Sequence, residues 1–238
     1  MSDHIVKAYD DDLAALTSML SRMGGLAEEQ LARSIDALLR RDTKLADAVV
    51  QSDEGLDALE IAIEERAVLI IAKRQPVARD LRNIMVAIRI ASDIERIGDL
   101  AKNIAKRAHA IYDNIPQRLT KGLERLGDLS QAQVKLVLDA FAASDAERAM
   151  EVWRRDEDID ALYNSIFREL LTYMMEDPRM IGACTHLLFA AKNIERIGDH
   201  ATNIAENIYY LVNGEMLKER RPKKDRTSVT PYSALNDD

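Results

Sequence analysis

The chain has 238 residues, enough for one large domain or two of about 100–120 residues with a sizeable core. Glycine (9), proline (5) and aromatic residues (5%) are scarce, a usage that favours long helices over sheets. The net charge of −8 argues against nucleic acid as a partner, and no apolar run approaches the ~20 residues that a membrane span needs.

The single cysteine, Cys184, has no internal disulfide partner and lies in an apolar helical run, where it reads as a small core residue. The start, Met1-Ser2-Asp3-His4, carries no apolar signal region. A reducing, cytoplasmic location is expected.

Residues 5–40 have helical periodicity, with Leu13, Leu16, Leu20, Leu31, Ile35 and Leu38 on one stripe and Gly24-Gly25 as a candidate kink. Asp42 is placed to cap a second helix running to about Arg74, with Val49, Leu56, Leu59, Ile63 and Ile70 on its apolar face. Gln75-Pro76 ends it, and Pro76 reads as the first residue of a third helix reaching about Asp113. Asn114-Ile115-Pro116 breaks the chain, and a fourth helix covers about 117–142. Ser144-Asp145-Ala146-Glu147 has capping-box spacing and opens a fifth helix, ending near Glu176. Asp177-Pro178 opens a sixth as N-cap and N1 proline, and Asn213-Gly214 closes it. Residues 215–238 lose periodicity and hold Lys218, Arg220, Arg221, Lys223, Lys224 and Arg226, which reads as a flexible basic and polar tail.

Helices of ~30 residues would be ~45 Å long, and short connections make neighbours antiparallel. The expected fold class is all-α. Six long helices form two tandem, homologous, antiparallel three-helix bundles, residues 1–114 and 115–214.

The homology rests on a repeated motif. Ile94, Glu95, Arg96, Ile97, Gly98 and Asp99 recur without change 100 positions on, as Ile194, Glu195, Arg196, Ile197, Gly198 and Asp199. The match continues at Ala101/Ala201, Asn103/Asn203, Ile104/Ile204 and Ala105/Ala205, so the chain contains an internal duplication. In the third helix Ile94, Ile97, Ala101, Ile104 and Ala108 form the core stripe. Glu95 and Asp99 lie roughly 130–170° from the middle of that stripe, on an outer flank. Gly98 lies at the edge between the faces, where it lets another group approach closely.

The second helix carries Asp53, Asp57, Glu60 and Glu64 on one flank, and the fifth repeats part of the row with Asp156 and Asp160 at an offset of 103. In an antiparallel hairpin, residues equidistant from the turn share a height. Asp57 with Glu95, and Asp53 with Asp99, are equidistant from Pro76. Asp160 with Glu195, and Asp156 with Asp199, are equidistant from Asp177/Pro178. Each half should therefore gather four carboxylates in one open groove, ~30 Å from the hairpin end.

Crowded carboxylates repel and need compensation. A hard cation such as Mg²⁺, Ca²⁺, Mn²⁺ or iron would supply it. Ion pairs with Arg96, Arg196, Lys102 or Arg82 would also supply it, on a solvated face. His200 follows Asp199, but the other copy has Leu100 there; His186 and His109 look like ordinary helix positions, and His4 is terminal. There is no Glu-x-x-His di-iron pattern, no glycine-rich phosphate loop and no nucleophile–histidine arrangement in sequence range. Asp80 is best placed to favour the dipole of the third helix. A non-enzymatic protein is expected. A carboxylate-bridged metal hydrolase or oxidase, and a metal-free helical scaffold, are the alternatives.

The two Glu-Arg-Ile-Gly-Asp motifs followed by Asn-Ile-Ala, with Pro76 before Asp80-Leu81-Arg82 and with Gly198-Asp199-His200-Ala201, resemble the PhoU family of bacterial phosphate-signalling regulators over about residues 5–214. The resemblance implies a cytoplasmic negative regulator of phosphate uptake and of the phosphate-starvation regulon. It implies an adaptor between the ATPase subunit of the phosphate ABC transporter and a membrane sensor histidine kinase, working at membrane complexes without being embedded. It also implies a homodimer, and iron or zinc clusters on Glu95 with Asp99 and on Glu195 with Asp199. Asp53, Asp57, Asp156 and Asp160 join these as metal-ligand candidates through the hairpin geometry. The second half has Arg179-Met180-Ile181 in place of Asp-Leu-Arg, so its site should differ in partner or metal.

Overall fold

The computed structural model describes residues 2–111 and 116–219. The expected break at Asn114-Ile115 and the tail from residue 220 onward lie outside the described residues. Among the described residues the fold is all-α, with helices α1 (Ser2–Arg40), α2 (Thr43–Ser52), α3 (Glu54–Arg74), α4 (Arg79–Lys106), α5 (Gln117–Ala143), α6 (Ala146–Glu176) and α7 (Ile181–Asn213). α2 and α3 together form the second of six helical arms, so the arm count matches the periodicity.

The division of that arm falls at Asp53, which keeps helical angles (φ −63°, ψ −34°). Its cause is local competition. The Val49 carbonyl, which an uninterrupted helix would give to the Asp53 N–H, accepts from the Ser52 hydroxyl at 2.8 Å and the Gln30 amide at 3.3 Å.

Several ends differ from expectation by a few residues. Pro76 is not in the helix that follows it. Gln75 turns left-handed (φ 50°) and closes α3 by donating to Ile71, and α4 begins only at Arg79. A proline disfavours the α region in the residue before it, so Gln75 leaves the helix early. Asp145, and not Ser144, caps α6 by accepting from Arg148 N at 3.0 Å. Ser144 is itself left-handed (φ 51°) and closes α5. Asp42 caps α2 by accepting from Leu45 N, as read. Asp177 accepts from Arg179 N above a 3₁₀ turn, Pro178–Met180, and Gly214 (φ 82°) closes α7. α1 runs unbroken through Gly24-Gly25. A Cβ at Gly24 would stand 2.6 Å from Leu138 Cδ2 of α5, so this glycine serves close packing and produces no break.

α1, α3 and α4 pack on one another, and so do α5, α6 and α7. The two sets meet through α1 against α5 and α4 against α7. One buried cluster runs through both, from Leu20, Leu31, Ile63 and Ile97 to Leu123, Ile159, Leu187 and Ile197. Burying a side chain of this size contributes about 1.5–3 kcal/mol, and the shared cluster joins the halves. Cys184 is fully buried in it. No described helix is long and apolar enough to cross a membrane.

Candidate functional site

In the first half the acids of α3 and α4 do share a groove. Asp53 is buried at its floor. One of its oxygens, Oδ1, accepts from the Gln30 amide of α1 at 3.1 Å, and the other is ion-paired with Lys102 of α4. The same ammonium lies 2.5 Å from Asp99 Oδ1. Arg96 reaches Glu95 Oε2 at 3.4 Å and Asp99 Oδ2 at 3.7 Å. Asp57 sits on the exposed rim.

The groove holds surplus negative charge. Burial raises the Asp57 carboxyl above its usual range, and Asp53 and Asp99 raise it further against the opposing effect of Lys102. Burial likewise raises Glu60, with Glu64 and Asp57 adding to it. Glu95 is raised by burial and then by Asp99, Glu60 and Asp57. For Lys102, burial acts to lower the ammonium, but the two carboxylates it touches outweigh burial and raise it.

In the second half Asp156, Asp160 and Glu195 are each at most 2% exposed. Asp156 Oδ1 accepts from the Thr202 hydroxyl of α7 at 3.2 Å. Glu195 Oε2 pairs with Lys192 at 2.9 Å, and that ammonium stands 5.0 Å from the centre of the Tyr163 ring on α6. The acid-bearing flanks of α6 and α7 therefore face each other, as the hairpin geometry requires. Asp199 is half-buried.

The reading of both grooves as open flanks is corrected. Four of the eight candidate acids, Asp53, Asp156, Asp160 and Glu195, are buried. A flank angle says where a side chain leaves its own helix and nothing about what the third helix lays over it. Here α1 and α5 lay Gln30 and Gln133 there, both buried. Gly98 is buried too, and the groups that approach it come from inside the fold. A Cβ there would stand 3.1 Å from Gln30 Oε1 and 3.4 Å from Asp53 Oδ1. At Gly198 it would stand 3.5 Å from Gln133 Oε1. Sequence reasoning missed both glutamines. Their signal was present, since they recur at the same offset of 103 as Asp53 and Asp156.

His200 does not enter the groove. Its Nδ1 lies 2.9 Å from Asp93 Oδ1 on α4, so it bridges the two halves. Arg82 is also elsewhere, 5.4 Å above the Tyr210 ring.

Among the described residues, no three or more His, Cys, Asp and Glu side chains are grouped so that they could hold a metal ion. In the first groove an ammonium already stands between Asp53 and Asp99, and the arrangement does not suit a metal. In the second, Lys192 stands at Glu195, and the four carboxylates, though of the donor type that hard cations take, are likewise not gathered round one point.

The sequence matches the PhoU domain over residues 20–108 and again over residues 123–208, once in each half. The chain belongs to the PhoU family. It is 56% identical over 227 residues to the phosphate-specific transport system accessory protein PhoU homolog of Rhizobium meliloti (strain 1021), covering 95% of this chain and 96% of that one. It is 40% identical to the phosphate-specific transport system accessory protein PhoU of Escherichia coli (strain K12), over 90% of this chain and 89% of the relative. The crystal structure of PhoU from Pseudomonas aeruginosa is similar with a TM-score of 0.84 at 40% identity, covering 87% of this chain and all of that one. These PhoU proteins are named as accessory proteins and not as enzymes.

Proposed function

We propose that this chain is a cytoplasmic negative regulator of phosphate uptake and of the phosphate-starvation regulon. It acts as an adaptor between the ATPase subunit of a phosphate ABC transporter and a sensor histidine kinase, as a homodimer. The observation that carries this reading is the double PhoU match, together with 56% identity to a phosphate transport accessory protein over nearly the whole chain. The groove chemistry agrees with a non-catalytic role. Asp53, Glu95 and Asp99 are tied to Lys102, Arg96 and Gln30, and are not poised to activate a substrate. Deletion of the gene should leave alkaline phosphatase high in phosphate-rich medium, and restoring the chain should repress it. Normal repression in the deletion strain would sink the reading.

Metal binding forms part of the proposal at Asp156, Asp160, Glu195 and Asp199. Together they offer only carboxylate oxygens, the donor type that hard cations take. Elemental analysis of chain purified without chelator should find less metal in the Glu195→Ala/Asp199→Ala variant than in the unsubstituted chain.

A further inference from the structure

We propose that the ε-ammonium of Lys102 is the resident cation of the first acidic groove, and that this groove takes no metal ion. The inference does not depend on whether the second groove takes one.

The bonding around Asp53 and Asp99 carries the argument. Asp53 uses one oxygen for Gln30 and the other for Lys102. Asp99 uses one oxygen for Lys102 and the other for Arg96, which also reaches Glu95. Three of the four candidate ligands thus already hold a cationic group of the chain. The Lys102 side chain is only 21% exposed, so the ammonium is held within the groove and is not draped across its mouth. A divalent ion at the same carboxylates would meet a fixed positive charge at close range, and a protonated ammonium has no lone pair with which to ligate it.

The duplication supplies the contrast. The residue 100 positions after Lys102 is Thr202, whose neutral hydroxyl, with its single proton, lies 3.2 Å from Asp156 Oδ1 and 3.0 Å from Gly198 O, both acceptors. The two copies have kept their carboxylates and their motif glycine. They differ at the position that touches the buried aspartate: one copy puts a charge there, the other a hydrogen-bond donor without charge.

The lysine contact also has a mechanical effect. Asp53 is the residue at which the second arm divides into α2 and α3. Lys102 fastens that division to α4 whatever ions are present.

Titration of the full chain with Mn²⁺, followed through the EPR signal of the free ion, tests this. The number of ions bound should be the same in the unsubstituted chain and in Glu95→Gln/Asp99→Gln. Lys102→Thr, which copies the second groove, should bind at least one more ion per chain. That ion should be lost when Glu95→Gln/Asp99→Gln is added, and Lys102→Arg should gain none. Loss of bound Mn²⁺ in Glu95→Gln/Asp99→Gln would overturn the proposal, and that comparison stands even where Lys102→Thr fails to fold. A folded Lys102→Thr that gains no ion, or a Lys102→Arg that gains one, would overturn it as well.

Discussion

Gly98 and Gln30 are so close that a methyl group on the glycine would stand 3.1 Å from the amide oxygen. The side chain of Leu56, itself buried, crowds the same point more tightly. At Gly198 the nearest atoms, Ile159 Cδ1 at 3.0 Å and Gln133 Oε1 at 3.5 Å, leave more room. Overpacking a core costs about 1–3 kcal/mol, while alanine in place of helical glycine returns about 1 kcal/mol. Gly98→Ala should therefore destabilise by up to about 2 kcal/mol in urea unfolding, and Gly198→Ala by less. A larger loss at Gly198 would contradict the packing described.

Asp93 joins the halves by accepting from Asn203 Nδ2 at 3.2 Å and facing His200 Nδ1 at 2.9 Å. Removing a partly buried acceptor with two partners costs about 1–3 kcal/mol. Asp93→Ala should lower the thermal midpoint clearly. Glu29→Ala, which breaks only the exposed pair with Arg33, should change it by less than about 0.5 kcal/mol equivalent.

Asp57, Glu60 and Glu95 all have carboxyls raised above their ordinary values in the fold. The sign follows from linkage. A raised acid contributes stability that is full below its unfolded value and is lost as pH rises through its folded value. Once ionised, these groups carry the cost of burial and repel one another. Glu60→Gln should then raise the melting temperature at pH 7, with the gain fading as pH falls toward about 4, near the ordinary carboxylate value. A gain that stays constant across that range would exclude charge repulsion as its source.

Cys184 has no exposed surface, and burial raises its thiol above the usual range. The native chain should resist a thiol-directed reagent at pH 8, where an exposed cysteine reacts readily. Labelling should appear only with denaturant. Fast labelling of the native chain would mean that α7 opens locally.

The helical arms were legible because apolar residues at 3.6-residue spacing leave few alternatives over 30 residues. The pairing of Asp53 with Asp99, and of Asp57 with Glu95, was legible because antiparallel arms about a known turn fix relative height. What was not legible comes from contacts outside the hairpin. The break at Asp53 depends on Gln30, 19 residues before the carbonyl it takes from the ladder. The partner of His200 lies 107 residues away in sequence, across the junction of the halves. Periodicity carries the orientation of one helix, and none of these is a property of one helix.

Among the described residues, the main helix contacts between the halves join each element to its own counterpart, α1 to α5 and α4 to α7. Self-complementary patches of that kind are how identical subunits form closed pairs. The polypeptide is in this respect a covalent dimer of repeats. The segment connecting α4 to α5 holds the second repeat at high effective concentration around the first. Divergence at single positions, such as lysine in one copy and threonine in the other, then becomes available to it, because fusion gives each copy its own codon. A true homodimer of one repeat would have to change both sites at once.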